Sequence, residues 1–524
     1  MNIFSKKILL NVNFLYLTLI FLFSFSINFY YAKLGSFPVD TFFHYGSAYN
    51  ILKNEIPIKD FWIVSGLIVD IFQYSFFKIL GVNWFAYTVH SSIFNFFISL
   101  FSYYFFLSLN LSKLNALIYT FSVATLAYTI SGTPFVEQHA TFFLLISTYL
   151  IIFTFRFKEK NYIWIFIVAL VFLSFLSKQV PAAYVILSQG IILLYYFIKM
   201  RKKEPLKVIF LSTISFVLFF VFIFIYLKID LYSFYVQYID YPRSVGLERY
   251  SQFTKSFEIF FNQYKFLLLP IILISIFKIK KIKDRKINFS SQEMIIFLIF
   301  LAFSISLLFH QLMTKNQIFI YFLIPIFLAL LESELRTSHI NYKKHFSAIL
   351  ILLSIFITLK YHLRFNETRK FHELERVDLN NSISASEIDK SLNGLKWINP
   401  LFKGDPSKEV LLLKQTKERI DKIDYEIMLI TNYLFLDSIT KKNLNSPSRI
   451  FTSDGTSIPL KSNRYYNYYK KFLINKIQKK NIREIYFLKL ENLPKEIITD
   501  YIDKTCVNLI EDKLFYIFKI NCLK

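Results

Sequence analysis

Long apolar segments separated by short polar ones make up the first two thirds of the chain. A helix needs about 20 predominantly apolar residues to cross a bilayer, and most of these segments come close to that length. The pattern predicts an α-helical polytopic membrane protein with about eleven transmembrane helices, at residues 8–31, 84–108, 114–131, 134–155, 161–178, 180–198, 207–228, 264–279, 293–313, 317–333 and 346–362. The first segment lacks a small-residue cleavage site and is expected to be an uncleaved span.

Residues 62–80 are also apolar, but Asp70 stands in the middle of the segment. A charge at the centre of a bilayer is costly, and the next link, Gly81 to Asn83, carries no positive charge. We therefore expect an interfacial or re-entrant helix there, rather than a span. This interpretation leaves two long loops on one side of the membrane, 32–83 and 229–263.

Basic residues indicate which side is cytoplasmic, because cytoplasmic loops carry an excess of Lys and Arg. If the N-terminus is inside, the basic links all fall on that side: Lys113, Arg156/Lys158/Lys160, Lys199–Lys207, Lys278–Lys286 and Lys343/Lys344. An odd number of spans then places the C-terminal part outside. The sequence predicts a transmembrane domain over 1–363 and a second domain, on the outer side, over 364–524. Compositional style and the resemblance described below imply the inner (plasma) membrane of a bacterium, with the second domain in the periplasm.

The C-terminal part differs in kind, since charged residues are frequent and the apolar runs are shorter. A helix is predicted over Glu418–Asp437, and strands at Leu411–Leu413, Arg449–Phe451, Glu484–Lys489 and Phe515–Lys519. A small α/β domain is therefore expected. The chain has two cysteines, Cys506 and Cys522, both in this part. They can pair as a disulfide in an oxidising compartment, whereas the cytosol would keep two free thiols. Because the C-terminal part is expected outside, we predict the disulfide.

Composition supports the membrane class, with 55% hydrophobic and 19% aromatic residues and a mean hydropathy of +0.43. The net charge of +25 suggests nucleic-acid binding at first sight. However, many Lys and Arg residues stand in short runs between apolar segments, as expected of cytoplasmic loops. Membrane lipids are therefore the expected partners, and nucleic acid is not.

Unusual polar residues concentrate at the outward ends of the predicted spans. Asp40 and His44 lie four residues apart in the first loop and would share a face of a helix. Carboxylates, imidazoles, cations and an amide on this side suit an acid/base site with phosphate contacts: Asp60, Glu137, His139, Lys178, Gln179, Arg243, His310 and Lys315. Each has an ordinary alternative role. Asp40 can cap a helix beginning at Thr41, and Lys178 can extend toward the membrane interface.

The first loop resembles the polytopic glycosyltransferases of the C superfamily (GT-C), which use polyprenyl-phosphate-linked sugars. The resemblance rests on spaced residues, Asp40, Tyr45, Ala48, Leu52, Glu55-Ile-Pro57, Asp60-Phe61 and Gly66. A second stretch, Leu176-Ser-Lys178-Gln179, is similar to bacterial members. Two positions differ: Asn54-Glu55 stands where a Gly is usual, and Leu67 where a Pro is usual.

The resemblance implies a GT-C-like fold and an inverting transfer of a hexose or pentose from a polyprenyl-phosphate-linked sugar donor to a lipid, glycan or protein acceptor. Asp40 would be the general base, and Asp60 a second acid or an anchor of the loop. Glu137 and His139 would hold a divalent metal ion (Mg, Mn or Zn) or orient the acceptor. The donor and its phosphate would be bound by His44, Lys178, Gln179, Arg243, His310 and Lys315.

Three other functions stay open. A transporter or flippase for lipid-linked saccharides would need polar groups along a path through the bilayer, but here they concentrate near one face. A polymerase or ligase of envelope polysaccharides would also work on outward loops, and the 229–263 loop is large enough to serve it. A non-catalytic assembly protein would use its C-terminal domain to bind partners.

Overall fold

The structure, a computed structural model, describes residues 14–129, 131–157, 161–251, 257–314, 320–337, 344–368, 373–491 and 493–522. The helices of the N-terminal part are α1 (Phe14–Tyr31), α2 (Pro38–Thr41), α3 (Phe43–Leu52), α4 (Leu67–Leu80), α5 (Trp84–Ser108), α6 (Lys113–Ala127), α7 (Val136–Phe157), α8 (Ile163–Ser177), α9 (Gln179–Lys199), α10 (Lys203–Tyr226), α11 (Leu231–Phe234), α12 (Tyr241–Ser251), α13 (Phe257–Lys283), α14 (Gln292–Thr314), α15 (Leu323–Thr337) and α16 (Lys344–Thr368). A π-helical turn, Tyr235–Asp240, joins α11 to α12.

Within the described residues, seven helices are long and apolar enough to cross a membrane: α1, α5, α7, α9, α10, α14 and α16. The chain is thus a multi-pass membrane protein by the length and composition of its helices. The other four predicted spans also coincide with helices. Three of these, α6, α8 and α15, have 15 residues each, and the fourth, α13, has 27.

Contacts sort the helix ends into two sets. At one end of the bundle, the Lys278 end, the Lys278 ammonium lies 2.5 Å from Glu293 and 2.6 Å from Glu334. The Asn115 amide donates to Glu332 at the same end. At the opposite end, the Asp40 end, Tyr31 bonds His362 at 2.5 Å. The basic links Lys113, Arg156, Lys199–Lys203 and Lys278–Lys286 all belong to the Lys278 end.

The segment that holds Asp70 is a helix, but it begins later than predicted, at Leu67, and has 14 residues. The preceding residues are held in an extended form by the C-terminal part of the chain. The Trp62 amide donates to the Pro447 carbonyl at 2.8 Å, and the Arg449 amide donates to the Trp62 carbonyl at 3.2 Å. Asp70 is buried inside the protein.

The C-terminal domain contains α17 (Pro406–Asp421), α18 (Leu436–Ile439), α19 (Tyr466–Lys479), α20 (Glu496–Thr499) and the strands β1 (Ile383–Ser384), β2 (Lys396–Trp397), β3 (Ile427–Ile430), β4 (Glu484–Leu488), β5 (Val507–Glu511) and β6 (Phe515–Ile520). Four strands form one sheet in the order β3-β4-β6-β5, with β3 and β4 parallel and the other pairs antiparallel. Apolar side chains of α17 pack on one face of the sheet and those of α19 on the other. The domain is therefore a small layered α/β unit.

Three local predictions in this domain are wrong. Leu411–Leu413 lies inside α17, because Asp405 caps that helix through the Lys408 amide and Pro406 occupies its first turn. The helix expected over Glu418–Asp437 ends at Asp421, and its second half contains the fully buried strand β3. Arg449–Phe451 is not a strand, since it pairs with the Trp62 segment instead of the sheet.

The C-terminal domain packs on the Asp40 end of the bundle. Lys53 forms an ion pair with Asp437 at 2.6 Å, and the Phe42 ring stacks with Trp397 at 5.9 Å between centroids. Cys506 and Cys522 are joined in a disulfide that links the beginning of β5 to the end of β6. The bundle and the domain thus share an interface built from the first long loop.

Candidate active site at the Asp40 end

Asp40 lies in the short helix α2, just after the first membrane-spanning helix. The N-terminal cap of α2 is Phe37, and its amide donates to the hydroxyl of Thr41 at 3.0 Å. Asp40 occupies the first turn, and no side chain caps this helix. The alternative role of Asp40 as the cap of a helix that begins at Thr41 is therefore wrong. Its carboxyl group is available for another function.

Glu137 and Lys178 form an ion pair beside Asp40. Glu137 stands in the first turn of α7, and Lys178 follows the last residue of α8, so two helix ends bring the pair together. Glu137 is buried, and its second oxygen, Oε2, has no hydrogen-bond donor among the described residues. Lys178 therefore binds a carboxylate inside the protein and does not simply extend toward the membrane surface.

Burial and the neighbouring charges together set the proton affinity of Asp40. The pKa of its carboxyl is raised to about 7, first by burial and then by the negative charges of Glu137 and Glu373, while Lys178 lowers it. A carboxyl group with a pKa near neutrality accepts a proton readily at physiological pH. Perturbed pKa values of this kind concentrate at functional sites.

Glu373, from the C-terminal part of the chain, is one of the charges that act on Asp40. Nearby, the Ser36 amide donates to the Ile398 carbonyl at 3.1 Å, which fixes the loop before α2 against the domain. A Cβ added at Gly35 would lie 2.9 Å from Leu374, so the backbone and the domain approach closely there. The cluster of Asp40, Glu137, Lys178 and Glu373 therefore lies where the bundle meets the domain.

His44 belongs to a different, fully buried cluster. The helix is interrupted at Phe42, between α2 and α3, so the prediction that Asp40 and His44 share one helical face is wrong. His44 Nδ1 lies 2.5 Å from Asp70 Oδ1, and Arg449 Nη1 donates to Asp70 Oδ2 at 3.1 Å. Arg449 comes from the C-terminal domain. The buried carboxylate of Asp70 thus has its counter-ion in another domain, about 380 residues later in the sequence.

Gly66 makes room for this cluster. Its φ is +77°, a conformation that favours glycine. A Cβ at this position would lie 2.6 Å from Arg449 Nη1 and 2.7 Å from His44 Cε1. Any larger residue would displace the arginine from Asp70.

Asp60 and Gln179 hold segments of chain in place. Asp60 accepts from the Ile56 amide at 2.9 Å and from Lys479 of α19 at 2.7 Å. Burial opposes its ionisation, but these hydrogen bonds outweigh burial and lower the pKa of Asp60. The Gln179 amide donates to the carbonyls of Val64 and Tyr238.

Glu137 and His139 point to different partners and do not fit one metal ion. Glu137 binds Lys178, whereas His139 Nδ1 bonds the Phe135 carbonyl at 2.9 Å and His139 Nε2 lies 3.0 Å from His90 Nε2. Throughout the described part of the chain, no group of three or more His, Cys, Asp or Glu side chains is arranged to hold a metal. Asp40, Glu137, Glu373 and Lys178 are the charged side chains that act on one another here.

No known protein-family model matches this chain, and no curated protein sequence matches it. The resemblance to the C-superfamily glycosyltransferases stays a prediction from the residues.

Of the remaining predicted ligands, the structure describes Arg243 and His310. Arg243 is exposed on α12. His310 is buried near the C-terminal end of α14. Lys315 falls outside the described residues.

Sequence reasoning missed Arg449, Glu373 and His90. The position of Asp70 in an apolar segment was the one indication of this cluster, since an ionisable residue in such a segment indicates a buried partner. Nothing in the sequence around Arg449 identifies that partner, because the contact depends on how the C-terminal domain docks. Glu373 is one of several acidic residues just after α16, and spacing alone does not distinguish it.

Proposed function

We propose that this protein is an inverting membrane glycosyltransferase that takes its sugar from a polyprenyl-phosphate donor, with Asp40 as the general base. The observation that carries the proposal is the Asp40 carboxyl. It is partly buried beside the Lys178–Glu137 ion pair, and its pKa is raised to about 7. The resemblance of the first loop to the C superfamily supports the same assignment.

In this reaction an acceptor hydroxyl gives its proton to Asp40 while its oxygen attacks the anomeric carbon of the donor sugar. The bond from that carbon to the phosphate oxygen breaks, and the electron pair leaves with the polyprenyl phosphate. Lys178 supplies positive charge for the departing phosphate, since a fixed cation stabilises charge that develops in the transition state. Glu137 holds Lys178 in place.

We further propose that all eleven predicted spans cross a bacterial inner membrane, with the Lys278 end in the cytoplasm and the Asp40 end and C-terminal domain in the periplasm. The basic links at the Lys278 end support this orientation. The other four predicted spans, α6, α8, α13 and α15, run between the same two ends as the seven helices that are long and apolar enough to cross a membrane.

Cysteine labelling should test this orientation. Lys59 is exposed at the Asp40 end and Lys286 at the Lys278 end. In a chain without Cys506 and Cys522, a Lys59→Cys variant should react with a membrane-impermeant maleimide in intact cells. A Lys286→Cys variant should react only after the inner membrane is permeabilised. The reverse pattern would mean that the orientation is inverted.

The pH dependence of transfer should report the charges around Asp40. Because Asp40 must be ionised to act as a base, kcat/KM should rise with pH and level off above an apparent pKa of about 7. Glu137→Gln removes a negative neighbour and should shift this rise to lower pH. Lys178→Met removes the positive neighbour and should shift it to higher pH.

Initial rates with a polyprenyl-phosphate sugar across the pH range measure both shifts. Lys53→Met is a suitable control, because Lys53 pairs with Asp437 at the same interface but does not act on Asp40. Shifts in the same direction for Glu137→Gln and Lys178→Met would show that the titrating group is not Asp40.

A further inference from the structure

A large apolar groove opens between α4, α8 and α10. Its volume is about 560 Å³, and residues 51–57 of the first long loop form its roof at the Asp40 end. Its walls include Ile68, Phe172 and Phe220. Helix α10 is the most exposed of the candidate spans, so the groove faces the lipid side of the bundle.

Lysines surround the mouth of this groove. The Lys59 ammonium lies 3.4 Å from the carbonyl of Leu227, a residue that lines the groove, and Lys228 follows Leu227 in the chain. Lys480 lies 3.1 Å from Glu55 in the roof. In the described part of the molecule, Lys59 and Lys228 are exposed and neither forms an ion pair with a carboxylate.

The rim carries an excess of positive charge. Besides Lys59 and Lys228, three lysines of the C-terminal domain reach it, Lys476, Lys479 and Lys480, and the two carboxylates they bind are Glu55 and Asp60. Lys476, Lys479 and Lys480 each have a carboxylate partner, so among the described residues of the rim the unpaired positive charges are those of Lys59 and Lys228. An apolar groove below such a rim complements a molecule with a hydrocarbon chain and an anionic head.

We infer that this groove binds an anionic phospholipid of the bilayer, such as phosphatidylglycerol, with a chain between α4, α8 and α10 and its phosphate at Lys59 and Lys228. Lysines near a membrane surface attract anionic head groups in this way. The lipid would bridge the bundle and the C-terminal domain, because the rim draws its lysines from both.

The groove is distinct from the Asp40 cluster. A reacting donor lipid must present its phosphate to Asp40 and Lys178, but neither these residues nor Glu137 and Glu373 line the groove or its rim. The phospholipid proposal therefore does not rest on the proposed sugar transfer. An Asp40→Asn variant should retain the lipid.

Native mass spectrometry of the full chain tests the inference. Delipidated protein in detergent is titrated separately with phosphatidylglycerol, phosphatidylethanolamine and a polyprenyl phosphate. Phosphatidylglycerol should bind at one molecule per chain, and Lys59→Gln/Lys228→Gln should weaken it by about 30-fold. Ala169→Phe, which fills the groove without a change of charge, should weaken it as well.

A matched control is Lys396→Gln/Lys403→Gln, which removes two exposed lysines of the C-terminal domain that do not line the groove. This variant should bind phosphatidylglycerol like the wild type. Three results would each overturn the inference: equal binding of phosphatidylethanolamine, unchanged binding in both groove variants, or a preference for polyprenyl phosphate that the Lys59/Lys228 variant abolishes.

Discussion

Replacement of Asp40 by asparagine should lower the rate of sugar transfer by about 100- to 10,000-fold, the usual contribution of a general base. Asparagine keeps the size and shape of the side chain but cannot take the proton from the acceptor hydroxyl. Transfer of labelled sugar from a polyprenyl-phosphate donor by the purified protein measures the loss. Donor binding should change little, because Lys178 and Glu137 stay in place.

Asp230→Asn is the matched control, since Asp230 is an exposed aspartate that caps α11 and does not act on Asp40. It should transfer sugar at the wild-type rate.

The thermal stability of the Asp40→Asn variant shows whether unfolding could cause the loss of activity. Because burial raises the pKa of Asp40 above its value in the unfolded chain, its ionised form destabilises the fold at pH above 7. The variant should therefore melt no lower than the wild type at about pH 8, and any gain should shrink as the pH falls toward 4.

Replacement of Arg449 by methionine should destabilise the protein by about 3–5 kcal/mol, because it leaves the buried carboxylate of Asp70 without its counter-ion. The docking of the C-terminal domain should weaken first, since Arg449 is a buried contact between the domain and the bundle. Thermal unfolding in detergent measures the loss of stability. Limited proteolysis of the chain between α16 and α17 measures the undocking.

Two variants show whether this effect comes from the buried pair. Arg464→Met removes another arginine of the same domain, whose side chain is largely exposed and forms an ion pair with Asp240. This change should lower the free energy of unfolding by about 1 kcal/mol or less. Asp70→Asn/Arg449→Met removes both charges and should recover much of the stability that Arg449→Met loses. If Arg449→Met is as stable as Arg464→Met, the Asp70–Arg449 contact does not hold the domains together.

Much of the bundle is predictable from the sequence because lipid imposes a simple rule. A span must be a helix of a certain length with few charges, so α5 and α14 lie within one or two residues of their predicted positions. The side of the membrane assigned to each link follows from charge, and the contacts group the same links at one end. Strands β4 and β6 were predictable for a similar reason, as short apolar runs between polar segments.

The candidate site was predictable only in part. Asp40, Glu137 and Lys178 were each visible as polar residues at helix ends, but their meeting depends on how α7 and α8 pack beside α2. The partner of Asp70 could not be found, because Arg449 reaches it through a loop of another domain. Leu411–Leu413 resembles a strand until the cap at Asp405 is taken into account.

The comparison that tests the central claim most directly is between cells with the wild-type protein, cells with Asp40→Asn, and cells without the protein. Lipid-linked sugars and envelope glycans are measured in all three. If Asp40 is the base of a transferase, the two defective strains should lack the same sugar and accumulate the same polyprenyl-phosphate donor. If Asp40→Asn behaves like the wild type while the deletion traps a lipid-linked sugar on the cytoplasmic leaflet, the protein is a transporter and the role given to Asp40 is wrong.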